Sequence, residues 1–116
     1  MKDDVRKLLE QILMFAKRIE SGIKDVDLEN FIADTDKQDA ILYRLGQIGE
    51  TANKVSDQEQ EKYPNLFWDE MIGLRNRLFH DYYEIDLKRI YDITGKPISQ
   101  LIKNLEGILE SDVCKP

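Results

Sequence analysis

The stretch "FWDEMIGLRNRLFHDYY", residues 67–83, decides the fold. Projected at ~100° per residue, Phe67, Met71, Leu74 and Leu78 fall on one line, a stripe for the chain's own core. Asp69, Gly73, Asn76 and His80 fall on roughly the opposite side. Trp68, Ile72, Phe79 and Tyr83 flank that polar line, and Arg75 and Tyr82 lie close together between the core stripe and this apolar flank. A helix that is apolar on more than one side is usually buried on more than one side. The pattern therefore predicts a helix over roughly 65–83 with one face in its own core and another on a second partner. The simplest partner is another copy under twofold symmetry. Gly73 on the outer line would let that copy approach closely, at a propensity cost of ~1 kcal/mol against Ala.

Outward from this segment the period stays helical. Val5, Leu8, Leu9, Ile12, Phe15, Ala16 and Ile19 recur at steps of three and four, which predicts a helix over 3–21 stopped by "SG" at 21–22. "DLENFIAD", 27–34, reads as a short helix. Asp34 or Thr35 then caps a long helix to about Val55, with Ile41, Leu45, Ile48, Ala52 and Val55 inward. "SDQEQEKYPN", 56–65, is a polar connection, and Pro64 suits a helix start. "EID" at 84–86 breaks the motif helix, a shorter helix follows over 87–94, and Pro97 opens a last helix over 97–111. No β-period and no internal repeat emerges. The expectation is an all-α bundle of four or five helices in a single domain spanning 1–116.

Composition narrows the function classes. Of 116 residues, 41% are hydrophobic and 34% charged, an ordinary soluble balance. The longest apolar runs are only a few residues, so no membrane span is predicted. "MKDDVRKLLE" lacks the apolar core of a signal peptide, and the expected compartment is the cytoplasm. The only cysteine, Cys114, forms no intrachain disulfide and reads as a passive tail residue. One His and one Cys, far apart, do not make a zinc site without several carboxylates. A carboxylate magnesium site is possible, but no D-x-D cluster with matching partners suggests one, and "DTD" at 34–36 reads better as a helix start, so no metal and no cofactor are expected. A net charge of −6 argues against coating nucleic acid by bulk charge but leaves room for a small local RNA site.

The residues that bear chemistry are Arg75, Asn76, His80 and Tyr82. In an ideal helix Arg75 and His80 are ~140° apart, so one protomer does not aim both at one spot, whereas two copies of each could line one cleft. Against this stands the plain reading: a lone His on a helix is more often a surface residue than a catalyst, and Tyr residues more often pack with a wet hydroxyl. Arg77 and Asp81, four apart, read most simply as a solvated pair, with an RNA-phosphate contact as the other role for Arg77. Gly49 and Glu50 either pack under the site or belong to the helix surface.

"RNRLFH", Arg75 through His80, resembles the R-x4-H motif of HEPN-domain ribonucleases, and "RNRLFHDY" extends it to the R-x4-H-x-Y pattern of HepT-like toxins. "DKQDAILYRL", "LGQIGETANKVS" (45–56) and "YPNLFWDEMIGLRNRLFHDYYEID" (63–86) resemble that family in order and spacing, so the likeness covers residues 34–90. One departure is Phe67, where the family often has a proline before the Trp. The resemblance implies a compact helical domain dimerising through the motif region. It implies a metal-independent endoribonuclease with a composite cleft, the toxin of a toxin–antitoxin pair. It also implies a partner, an MntA-like nucleotidyltransferase antitoxin that transfers AMP from ATP to the motif tyrosine, Tyr82, and silences the toxin.

The chemistry this asks for is modest. RNA carries its own nucleophile, the 2′-OH. An imidazole exchanges protons at cellular pH, and a planar guanidinium holds a phosphate and stabilises charge building on it. His80 is accordingly the candidate acid/base, Arg75 the phosphate clamp, and Asn76 an orienting group. A 2′,3′-cyclic phosphate is the expected product. The competing class is a non-catalytic helical module that binds or regulates a minimal nucleotidyltransferase; the net negative charge leans that way, and the R-x4-H-x-Y set leans toward the enzyme.

Overall fold

A computed structural model describes residues 1–113 of the chain, and every regular element among them is helical. The α-helices are α1 (Asp3–Ile23), α2 (Leu28–Ala33), α3 (Thr35–Asn53), α4 (Asp57–Gln60), α5 (Trp68–His80), α6 (Leu87–Ile93) and α7 (Lys96–Val113), with 3₁₀ turns at Pro64–Leu66 and Tyr82–Glu84. Cys114 lies outside the described residues. The all-α expectation holds.

Local chemistry sets most boundaries. Side-chain oxygens of Asp27, Asp34, Ser56 and Asp86 accept from the orphan N–H groups that open α2, α3, α4 and α6. Each such cap is worth ~1 kcal/mol. Asp34 is thus the cap of the long helix, and α4 appears inside what reads in sequence as a plain connection.

The motif helix is shorter than the sequence predicts. Phe67 adopts φ 59, ψ 44, the left-handed region, so the helix cannot extend back through it. Proline, fixed near φ −65°, could not stand at this position in this conformation, which ties the family departure to the way the helix begins. Pro64 opens the 3₁₀ turn rather than the motif helix. At the other end Asp81 leaves helical geometry (φ −130, ψ 35), and its N–H closes on the Arg77 carbonyl at 2.8 Å. Tyr82 and Tyr83 therefore sit in a separate turn, and the helical projection does not carry to them.

One contiguous core joins Leu9, Ile12, Ala16 and Ile19 of α1, Ile41, Leu45, Ile48 and Ala52 of α3, Met71 and Leu78 of α5, and Leu101, Leu105 and Leu109 of α7. Phe31 of α2 is fully buried against the Tyr91 ring of α6, and the Tyr91 hydroxyl donates to the Val26 carbonyl at 2.7 Å. The long helices pack in the order α7–α1–α3–α5. At one end the turn Pro64–Leu66 reaches α7, with Leu66 fully buried and Asn104 Nδ2 donating to the Asn65 carbonyl at 2.8 Å. None of the described helices is long and apolar enough to cross a membrane.

Four positions of the motif segment depart from the projection. Trp68, expected on an outer flank, is 7% exposed, and its Nε1 donates to the Tyr63 carbonyl at 2.9 Å. Phe67, expected in the core stripe, is 38% exposed. The left-handed link at 67 turns the chain, so the Phe and Trp side chains exchange environments. Ile72 is also partly buried against the core, and Leu74 is only partly buried. Phe79 and Tyr83 remain exposed.

Candidate functional site

Arg75 lies where α5 crosses α3. Gly46 and Gly49, three apart on α3, face α5. A methyl group on Gly49 would collide with Arg75 Cβ and stand 2.5 Å from the Met71 carbonyl oxygen. The crossing is thus close enough to lay the aliphatic stem of Arg75 on the α3 backbone. Its guanidinium then meets Glu50, the next residue of α3: Nε donates to Glu50 Oε2 at 2.8 Å. Nη1 donates to Asn76 Oδ1 at 2.8 Å, and the guanidinium carbon sits 4.6 Å from the centre of the Phe79 ring. Both members of the ion pair are partly exposed, so its net worth to stability is ~1 kcal/mol or less. Its larger effect is orientation. A guanidinium has five N–H donors, and the two engaged here leave Nη2 and one hydrogen of Nη1 for an anion.

His80 is the last residue of α5 and is exposed. Arg75 faces α3 while His80 faces outward, so the two do not converge within one protomer. Asn76 is exposed too, but its oxygen is turned to Arg75 rather than to the imidazole. Around Gly73, on the outer line with Asn76 and His80, a methyl group would meet nothing.

Tyr82 does not approach Arg75 along a shared helix, because the helix ends before it. Its hydroxyl donates to Asp39 Oδ1 of α3 at 3.2 Å. That hydrogen bond, followed by desolvation and the nearby Asp39 charge, raises the phenol pKa above its ordinary value. Tyr83 packs edge-on against the Tyr82 ring but is 99% exposed. Arg77 is exposed and forms no ion pair with Asp81 among the described residues. Instead both border a small cleft of about 240 Å³ with Glu84, Asp86 and Arg89. No group of three or more His, Cys, Asp or Glu that could hold a metal occurs among the described residues.

Sequence reasoning left Glu50 open and missed Asp39 and the ring of Phe79. A signal existed for the first two. Asp39, Tyr43, Gly46 and Glu50 repeat at helical steps on α3, and a glycine pair three apart marks a close crossing that brings a neighbouring helix against that line.

The family model described as "Ribonuclease HepT-like" matches residues 12–108. "Putative RNase MJ1380" of Methanocaldococcus jannaschii is 34% identical over 105 residues, which are 90% of this chain and 96% of that protein. "Putative RNase MJ0127" of the same organism is 33% identical over 119 residues, covering 97% and 98%. "Probable ribonuclease HepT" of Thermococcus cleftensis is 27% identical over 110 residues, covering 95% and 96%. No solved structure gives a significant match. With this match over most of its length, the chain belongs to the ribonuclease HepT-like family.

Proposed function

We propose that this protein is a metal-independent endoribonuclease that works as a twofold dimer. Arg75, held by Glu50 and Asn76 with donors to spare, is the observation that carries this reading. Arg75 binds the scissile phosphate and stabilises charge on its non-bridging oxygens. His80 exchanges the protons. The substrate's 2′-OH attacks phosphorus and gives its proton to an imidazole. The P–O5′ bond breaks, and the 5′-oxygen leaves with a proton from the protonated imidazole of the second copy. The products are a 2′,3′-cyclic phosphate and a 5′-hydroxyl, and DNA resists for want of the 2′-OH. The ~140° between Arg75 and His80 on one helix makes the dimer part of the chemistry: the exposed face with Gly73, Asn76 and His80 meets its own copy, and each cleft draws on both. Arg77 adds a contact to neighbouring phosphates.

The same reading makes the protein the cytoplasmic toxin of a pair whose antitoxin is an MntA-like nucleotidyltransferase. That partner modifies Tyr82. The phenol oxygen attacks the α-phosphorus of ATP, pyrophosphate leaves, and the phenol proton passes toward Asp39, which already accepts it in a hydrogen bond. The added AMP brings about one negative charge and bulk to the edge of the site, where it repels RNA.

Purified wild type, His80→Ala and Arg75→Lys are to be compared on RNA in EDTA. Cleavage by wild type alone, with cyclic phosphate ends, supports the enzyme; equal activity of wild type and His80→Ala overturns it. The second reading, a non-catalytic partner of a nucleotidyltransferase, draws on the separation of Arg75 from His80 within one protomer. Absence of wild-type cleavage together with stable binding of such an enzyme would favour it. For the switch, mass mapping after incubation with the nucleotidyltransferase, ATP and Mg²⁺ is decisive. AMP on Tyr83 or Tyr43 with Tyr82 untouched would assign it elsewhere.

A further inference from the structure

Three of the four seams expected around the long helices are closed by packing: α7 on α1, α1 on α3 and α3 on α5. The fourth, between α5 and α7, is not. A groove of about 810 Å³ runs there instead. Leu45 and Ile48 of α3 lie buried beneath it, and its accessible apolar surface comes from Phe67, Leu74 of α5 and Ile93 of α6. Its rim carries Arg77, Arg89, Lys96 and Lys103 against the one carboxylate of Glu70. Among the described residues none of these four cations enters an ion pair. Arg77 and Arg89 have Asp81, Glu84 and Asp86 nearby along the smaller cleft, whereas that cleft does not include Lys96 or Lys103. This cationic rim stands on a chain of net charge −6.

We propose that the open α5–α7 seam receives an acidic amphipathic helix of a partner protein. The aliphatic ridge of that helix lies on Phe67, Leu74 and Ile93, and its carboxylates meet the four rim cations. Shape favours a helix, because a ridge of Leu and Ile side chains fills a trough between two helices as a further bundle member would. An added strand would need a free strand edge, and the described residues form no strand. Charge favours an acidic partner, since attraction to the rim steers encounter and repels basic segments. Chemistry disfavours single-stranded RNA here: bases bind on aromatic platforms, and Phe67 is the one aromatic residue lining the groove.

The test uses the full chain and a fluorescein-labelled peptide of about 18 residues, long enough to be helical, with Leu along one face and Glu on both flanks. Anisotropy should show saturable binding that weakens with salt. Lys96→Glu/Lys103→Glu should weaken it at least tenfold, and Leu74→Gln comparably, with helical content unchanged by circular dichroism. A peptide with Lys in place of Glu should not bind. Equal binding of the Lys peptide, or wild-type affinity in the Lys96→Glu/Lys103→Glu variant, overturns the proposal. So does displacement of the peptide by a short oligouridine from the Arg77→Ala chain, in which the RNA contact assigned to Arg77 is gone; that would make the groove a polynucleotide track.

Discussion

Between α3 and α5 the backbones approach until Gly49 leaves no room for a methyl group, while between α5 and α7 the same motif helix stands back from a groove of about 810 Å³. α5 thus has one flank locked and one flank open. The locked flank carries Arg75 with its Glu50 and Asn76 hydrogen bonds. The open flank carries Leu74 and Arg77. A side chain that must present donors at a fixed place is set on the rigid crossing, where packing limits its freedom. A surface left as an unfilled trough keeps apolar area available for association.

The contrast is most easily broken in the core beneath each flank. Leu78 is buried against Gly46, whereas Leu74 is half-open to the groove. Leu78→Ala should cost ~2–5 kcal/mol in urea unfolding, as fully buried leucines do, and Leu74→Ala clearly less. Equal losses would mean that the groove is closed in solution. Next in size is Gly49→Ala, expected to cost ~1–3 kcal/mol by overpacking and to lower RNA cleavage by displacing Arg75. Its control is Gly107→Ala on α7, where a methyl group meets nothing and helix propensity should give a gain of up to ~1 kcal/mol. Thermal melts that rank the two the other way would refute the tight crossing.

Glu50→Ala separates orientation from stability. The partly exposed ion pair contributes ~1 kcal/mol or less, so the melting temperature should barely move while cleavage falls several-fold. Glu50→Gln, which can still accept from Arg75 Nε, should recover part of the activity. The smallest effect is at Tyr82. Its phenol is held above the ordinary tyrosine value, first by the hydrogen bond to Asp39. A tyrosine raised in the fold stabilises it below the unfolded value and loses that contribution as pH rises through the folded one. The Tyr82 ring resonance should therefore titrate above its ordinary range in wild type and return toward it in Asp39→Ala. An unchanged titration would show that the Asp39 contact does not form in solution.

Sequence alone determined what depends on neighbours along the chain. The three- and four-residue apolar steps located α1, α3 and α7 to within a few residues, "DLENFIAD" located α2, and Asp34 placed the start of α3. The ordered likeness over residues 34–90, with the R-x4-H-x-Y spacing inside it, pointed to the family, because these are properties of residue order. What tertiary structure decided was which face of α5 met which neighbour. A projection assumes one unbroken helix, and the left-handed backbone at Phe67 and the departure at Asp81 break that assumption. Trp68 therefore turned inward, Phe67 outward, and Tyr82 toward Asp39. Glu50 and Arg75, 25 residues apart, meet only because two glycines let the helices cross closely. Local spacing encodes neither that crossing nor the open seam opposite it: both arise from how separate helices pack in space.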